Sequence, residues 1–112
     1  MIDPIEKRLH ELRLLAGEYA KAQSEREYLE NFRHSKLAIL MKEADRNGYS
    51  TAAAQEREAR ANPEYLALLD GLKVATEKAE RCKWELKIAE MGASLYQTMQ
   101  ANKRAEMKGY GA

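Results

Sequence analysis

Residues 63–108 of the chain read PEYLALLDGLKVATEKAERCKWELKIAEMGASLYQTMQANKRAEMK. On a heptad repeat, one core position takes Tyr65, Leu72, Ala79, Leu86 and Ala93, and the other takes Leu68, Ala75, Cys82, Ala89 and Tyr96. All of these residues are apolar or aromatic, which is the pattern of a helix that packs lengthwise against another helix. We call these positions the seam. From Gln100 onward the same positions are polar, so the seam is predicted to end there.

A helix over residues 63–108 would extend about 70 Å at ~1.5 Å per residue, so it needs a partner of similar length. Residues 4–47 supply this partner. Asp3 can cap the free N–H groups of a helix, and Pro4 is tolerated in the first turn. At the other end, Asn47-Gly48 is a typical helix stop.

The apolar face of this first helix is clear in its first half, where it comprises Ile5, Leu9, Leu12, Ala16, Tyr19 and Ala22, with Leu15 widening it. Between Gln23 and Lys36 the face thins, and only Leu29, Phe32 and Tyr28 are candidate anchors. Ser24 and Glu27 match a capping box, so a kink or restart is an alternative to the unbroken helix that we favour. The pattern returns at Leu37, Leu40, Met41 and Ala44.

The connection between the long helices is predicted to be a short helix over residues 51–61, capped by Ser50 or Thr51. Asn62 and Pro63 then repeat the start signal of the first helix. Residues 109–112 carry two glycines and are predicted to fray. The sequence therefore predicts an all-α fold in which residues 1–112 form one domain, a long antiparallel, coiled-coil-like helical hairpin.

The last helix also carries apolar residues off the seam: Leu66, Leu69, Val74, Trp84, Ile88, Met91 and Leu95. They cannot all face the first helix, so they predict a second contact surface, most simply in a homodimer that forms a four-helix bundle. Trp84, Ile88, Met91 and Leu95 are the candidate residues for binding a partner protein. For Trp84 the alternative is that it completes the core of the hairpin or of the dimer.

Composition excludes some functional classes. The chain has 112 residues with 19 Lys+Arg against 18 Asp+Glu, a formal charge of +1, which argues against a globally basic nucleic-acid-binding protein. Cys82 is the single cysteine, so no internal disulfide can form, and its seam position predicts a small core residue. No run has the length of a signal peptide core or a membrane span, so we expect a cytoplasmic protein.

No residues form a convincing catalytic or metal-binding motif. His10 and His34 are the only histidines, and both are predicted to be solvated. Gly109-Tyr110-Gly111 lacks the strand and helix that a phosphate-binding loop requires. We therefore expect no enzymatic activity, no cofactor and no metal.

Two groups of cations are candidates for electrostatic contact with phosphates. One group includes Lys83 and Lys87 beside Trp84, and the other is Lys103, Arg104 and Lys108 near the end of the chain. The alternative for the second group is an ordinary helix C-terminus, where cations suit the helix dipole.

Several short motifs carry a resemblance to known proteins. They are Gln55-Glu-Arg-Glu-Ala59, Asn62-Pro-Glu-Tyr65, Leu69-Asp-Gly-Leu72, Ala75, Glu77-Lys-Ala-Glu80, Trp84-Glu-Leu86 and Arg104-Ala-Glu-Met107. With these motifs the chain resembles small bacteriophage or prophage proteins that are encoded among phage recombination and replication genes, near single-strand annealing proteins and exonucleases. The resemblance covers about half of the chain and implies a phage origin, a location in the bacterial host cell and an accessory role in DNA recombination. It implies no catalytic residue.

Three functional hypotheses follow. The leading one is a non-enzymatic phage accessory protein that binds a protein of the recombination or replication machinery. The second is a direct single-stranded DNA-binding mediator that uses the cations and aromatic residues. The third is a structural coiled-coil spacer or assembly protein.

Overall fold

The computed structural model describes residues 3–110, which form three helices: α1 (Pro4–Arg46), α2 (Ala52–Ala61) and α3 (Pro63–Tyr110). The described residues contain no strand, and α1 and α3 pack as an antiparallel pair. The predicted all-α helical hairpin is therefore confirmed. Contacts group the chain into two units: the first contains residues 3–19 and 81–110, and the second contains residues 20–80. That the chain is one domain stays a prediction.

The predicted helix boundaries hold to within two residues. α1 ends at Arg46 and α2 begins at Ala52, each one residue from its predicted bound. α3 continues through Gly109 to Tyr110, two residues beyond its predicted end at residue 108. That residues 109–112 fray stays a prediction. Gly111 and Ala112 lie outside the described residues. α1 continues through Ser24 without a break, so the unbroken helix is confirmed.

Each helix begins at a side-chain cap. Asp3 Oδ1 accepts from the N–H of Ile5 at 3.0 Å, Thr51 Oγ1 accepts from the N–H of Ala54 at 3.1 Å, and Asn62 Oδ1 accepts from the N–H of Glu64 at 2.9 Å. These bonds satisfy donors that have no partner within the helix. Thr51, and not Ser50, is the cap of α2.

The end of α1 depends on Gly48, which has a φ of +102°. This conformation lets the N–H of Tyr49 donate to the carbonyl of Ala44 at 3.1 Å, and the N–H of Gly48 donate to that of Asp45 at 3.1 Å. The two bonds form a Schellman motif, which favours glycine because other residues are strained at positive φ. Gln55 of α2 then donates to the carbonyl of Tyr49 at 2.9 Å, which ties α2 to the turn.

The three helices meet in a small apolar core within the second unit. Leu40 of α1, Ala59 of α2 and Tyr65 of α3 are buried there, and the half-buried residues around them are Leu37, Met41 and Leu69. Leu69 was predicted to lie on the second contact surface. That prediction is wrong, because α2 brings Ala59 to this side of α3 and the cluster takes up Leu69.

The predicted seam of α3 is confirmed, since every seam residue from Tyr65 to Tyr96 is buried or half-buried. From Gln97 to Gly109 every residue is exposed, so the seam ends as predicted. Between residues 3 and 109, four of the six buried residues are alanines, which allow the helix backbones to approach closely.

On α1 the seam differs from the sequence prediction in two places. Ile5, Leu9 and Ala16 are exposed, because Arg8 and not Leu9 takes the position opposite Tyr96, with its guanidinium 4.1 Å from the ring centroid. With Arg8 in this position, Leu12 and the residues that follow it at intervals of seven face α3, as a coiled-coil register requires.

The second difference explains why the sequence pattern thins after Gln23. Arg26, Arg33 and Lys36 take seam positions and are half-buried. Long cationic side chains can cover apolar surface with their stems while the charge reaches the edge. Arg26 pairs with Glu80 at 3.6 Å, and Lys36 pairs with Glu64 at 3.0 Å, so both ends of this stretch are joined to α3.

Arg33 lacks such a pairing across the helices. Its Nη2 bonds Glu30 of the same helix at 3.0 Å, while its Nε is buried and has no hydrogen-bond partner among the described residues. A buried donor without a partner costs free energy, because it has lost its bond to water.

We expect Leu40→Ala to destabilise the fold more than Ile39→Ala, its neighbour in α1. Leu40 is 2% exposed in the three-helix core, whereas Ile39 is 54% exposed. Truncation at a buried leucine removes apolar contacts and leaves a cavity, at a cost of about 2–5 kcal/mol. Urea unfolding followed by circular dichroism measures both values, and equal losses would contradict this core.

We expect Arg33→Met to raise the free energy of unfolding by about 1 kcal/mol, since the apolar stem is kept and the unpartnered donor is removed. The melting temperature should rise by about 4 °C. Arg13→Met is the control, because Arg13 is an exposed arginine of the same helix and its loss should have little effect. A lower melting temperature for Arg33→Met would refute the interpretation.

Candidate partner-binding face

The first unit presents a stripe of large apolar side chains on α3. Trp84, Ile88, Met91 and Leu95 are 56%, 63%, 63% and 64% exposed. We call these four residues the α3 face. The structure thus places all four sequence-predicted partner-binding residues on the surface, and it brings them together on one side of one helix.

The position of the α3 face follows from helix geometry. Spacings of four, three and four residues keep its members within a narrow stripe, because a helix turns once in ~3.6 residues. The seam residues Leu86, Ala89 and Ala93 lie between them in sequence and are half-buried, so they point nearly the opposite way. The face is about 17 Å long at ~1.5 Å per residue. The hairpin leaves it uncovered because its helix pair has only one seam.

Met99 extends the same stripe by one turn and is also exposed. The sequence analysis missed it, although it follows Leu95 at the spacing of four that links Trp84 to Ile88. The side chains of Met91 and Met99 are flexible, so this part of the surface could adapt to the shape of a partner.

Trp84 carries a cation on one side of its ring. The Nζ of Lys87 lies 4.8 Å from the ring centroid, a cation–π contact of about 0.5–1 kcal/mol at an exposed site. This contact orients the indole along the helix surface. The alternative that Trp84 completes the core of the hairpin is wrong, since more than half of its surface is exposed.

The predicted cations do not form one surface. Lys83 is half-buried, whereas Lys87, Lys103, Arg104 and Lys108 are exposed. Lys87 and Lys103 are separated by about 24 Å along the helix, and Lys103 and Arg104 point about 100° apart because they are adjacent in sequence. The candidate cations are therefore spread along and around α3 and do not converge on one site.

One cation at the start of α1, Arg8, contacts α3. Arg8 is directed onto the ring of Tyr96, as part of the packing between α1 and α3. Beside this contact, Ile5, Gln97, Gln100 and Arg104 line an open cleft of about 630 Å³. Arg104 is the charged residue of its lining, and Gln97 and Gln100 are polar.

A second apolar surface, in the second unit, was missed by the sequence analysis. An open groove of about 540 Å³ lies between α1 and α3, and its lining includes Tyr28, Leu29, Gly71, Val74 and Ala75. Tyr28 and Phe32 were predicted as anchors of the seam. They instead stack on each other at the surface, with ring centroids 6.0 Å apart and planes 6° from parallel.

The titratable residues are spread over the surface. His10 and His34 are exposed, Cys82 is half-buried on the seam, and residues 3–110 hold no group of three or more His, Cys, Asp or Glu side chains arranged for a metal ion. Arg60 donates to Glu56 at 2.8 Å, and this hydrogen bond raises the pKa of Arg60. The pair lies on the surface of α2 and stabilises this helix locally.

Comparison with known proteins found no match to a protein family, to a curated protein or to a solved structure. Within residues 3–110, no helix has an apolar stretch that is long enough to cross a lipid bilayer.

We expect no salt-dependent binding of single-stranded DNA, because the candidate cations lie on different sides of α3 and far apart. The measurement is fluorescence anisotropy of a labelled ~30-nucleotide oligonucleotide, titrated at low and at physiological salt. Phosphate contacts by several cations would give an affinity that falls steeply with salt. Such a response, abolished by Lys103→Ala with Arg104→Ala, would support the DNA-binding hypothesis instead.

Proposed function

We propose that the chain is a non-enzymatic accessory protein of phage DNA recombination or replication, which acts by binding a protein component of that machinery. The observation that carries this proposal is the α3 face, four adjacent large apolar side chains that the hairpin leaves in water. The assignment to phage recombination depends on the resemblance of residues 55–107 to small phage proteins.

The residue types of the α3 face suit protein binding. Tryptophan is enriched among the residues that contribute most to binding energy, and aromatic residues and methionine are enriched in the cores of interfaces. Burial of apolar surface yields about 25 cal/mol per Å². Trp84 would be the central anchor, and its contact with Lys87 would reduce the entropy lost when a partner fixes the ring.

A rigid helix supports such a face well. Its backbone is fixed by the seam on the opposite side, so binding does not have to order the main chain. The partner segment would lie along α3 over about three turns, as an amphipathic helix does in a groove or on a helical surface. Binding is favoured over catalysis because the side chains that come together here are apolar.

We expect the double variant Trp84→Ser with Ile88→Ser to lose binding to the phage partner by at least about tenfold, since it removes two central apolar contacts. The measurement is isothermal titration calorimetry with a purified single-strand annealing protein or exonuclease from the same phage. Circular dichroism should report unchanged helicity, because both side chains are exposed.

The matched control is Leu14→Ser with Ile39→Ser, which removes two exposed apolar side chains of α1. This variant should bind like the wild type. The proposal would be refuted if the wild type bound neither the single-strand annealing protein nor the exonuclease. Equal binding by wild type and the α3-face variant would favour the structural spacer, in which Trp84 serves assembly alone.

A further inference from the structure

The first and the second unit differ in how tightly α1 packs on α3. The residues that are buried between positions 3 and 109 all belong to the second unit, and they are Ala22, Leu40, Ala44, Ala59, Tyr65 and Ala79. In the first unit, the α1 residues that face α3 are only half-buried, and they are Arg8, Leu12, Leu15 and Tyr19. Because most helical stability in proteins comes from packing, the helices of the first unit stabilise each other less.

The polar links between the helices are also unevenly placed. The second unit holds the ion pairs that join α1 to α3 among the described residues, Arg26–Glu80 and Lys36–Glu64. It also holds α2 and the turn before it, which connect the two long helices. In the first unit, the polar contact between the helices is that of Arg8 with the ring of Tyr96. The helices can therefore separate there without breaking either ion pair or the turn.

Both helices of the first unit carry a glycine in their interior. Gly17 of α1 is exposed, whereas Gly92 of α3 is half-buried beside a cleft of about 130 Å³ that Arg8 and Leu12 line from the α1 side. A glycine lowers the stability of a helix relative to alanine, because it loses more conformational freedom on folding. Gly92 also contributes no side chain to the packing at the cleft.

We propose that the first unit opens as a unit of its own while the second unit stays folded, and that this opening is a conformational switch for the α3 face. Segments that bind ligands or move are drawn from the least stable parts of a protein. When the helices separate, both lose the packing that keeps them helical, and Trp84, Ile88, Met91 and Leu95 no longer form a fixed stripe. The structure shows the closed form, and the open form is a minor population.

The opening is a property of the free chain, so it does not rest on the proposed function. It bears on that function because a partner of the α3 face would bind the closed form. Binding to one form stabilises that form, so the partner would hold the first unit closed. The test uses the chain alone, so its failure would leave the proposed function intact.

The test is native-state hydrogen exchange followed by mass spectrometry, with residues 4–19, 22–44 and 81–96 measured separately. After correction for intrinsic rates, the first and last of these segments should exchange at least about tenfold faster than residues 22–44. Gly17→Ala should slow exchange about fivefold, since a Cβ atom at Gly17 meets nothing within 4 Å and alanine favours helix. Because both helices open together, this slowing should appear in residues 81–96 of α3 as well as in residues 4–19. Gly92→Ala should likewise slow the exchange of residues 4–19.

The matched control is Gly71→Ala, because Gly71 is also an exposed helical glycine with open space around it, but lies in the second unit. It should leave the exchange of residues 4–19 and 81–96 unchanged. Equal exchange in all three segments, slowed everywhere by both Gly17→Ala and Gly71→Ala, would show that the hairpin opens only as a whole. Slowing by Gly17→Ala that is confined to residues 4–19 would show that α1 frays alone. Either result would overturn the proposal.

Discussion

The structure depends on close lengthwise packing along the seam of α3. A helix of 48 residues gains little from its own hydrogen bonds in water, since most helical stability in proteins comes from packing of one apolar face. Alanines at Ala79 on α3 and at Ala22 and Ala44 on α1 let the backbones approach until these side chains are buried. Larger residues such as Leu40 and Tyr65 then fill the space that remains near the turn.

This packing gives the hairpin its stability along one line only, and the other sides of the helices remain in water. Ion pairs between the helices occur where the apolar pattern of α1 is weakest. The pairs Arg26–Glu80 and Lys36–Glu64 join α1 and α3 at two separate places, and an ion pair between helices contributes more to register than to stability at partly exposed sites. The side-chain caps fix where the helices begin, and the turn at Gly48 fixes where α1 ends. The helix lengths that result are compatible with the register of the seam.

The surfaces left over by this arrangement are the basis of the functional proposals. A globular protein would fold Trp84, Ile88, Met91 and Leu95 into a core, but a helix pair has no second layer to cover them. The same is true of Tyr28 and Phe32 beside Gly71. A protein that binds a partner through the α3 face needs such an uncovered apolar patch, and the packed helix that carries it does not have to be ordered on binding.

The sequence by itself determined the class of fold, the seam of α3 with its end before Gln100, the caps at Asp3 and Asn62, and the membership of the α3 face. These features follow from the 3.6-residue period and from backbone donors that need partners, both of which are local properties of the chain. Only the tertiary structure decided that Arg8 replaces Leu9 opposite Tyr96, that Arg26, Arg33 and Lys36 continue the α1 seam, and that Leu69 turns into the core. For Arg8, Arg26 and Lys36 the physical reason is that a long cationic side chain is expected from sequence to face solvent, yet its stem can pack between helices when a carboxylate or a ring across the seam receives its charge. The charge of Arg33 is instead received by Glu30 of its own helix. The groove at Gly71 was hidden for a related reason, because a gap between two helices exists only once their register is set.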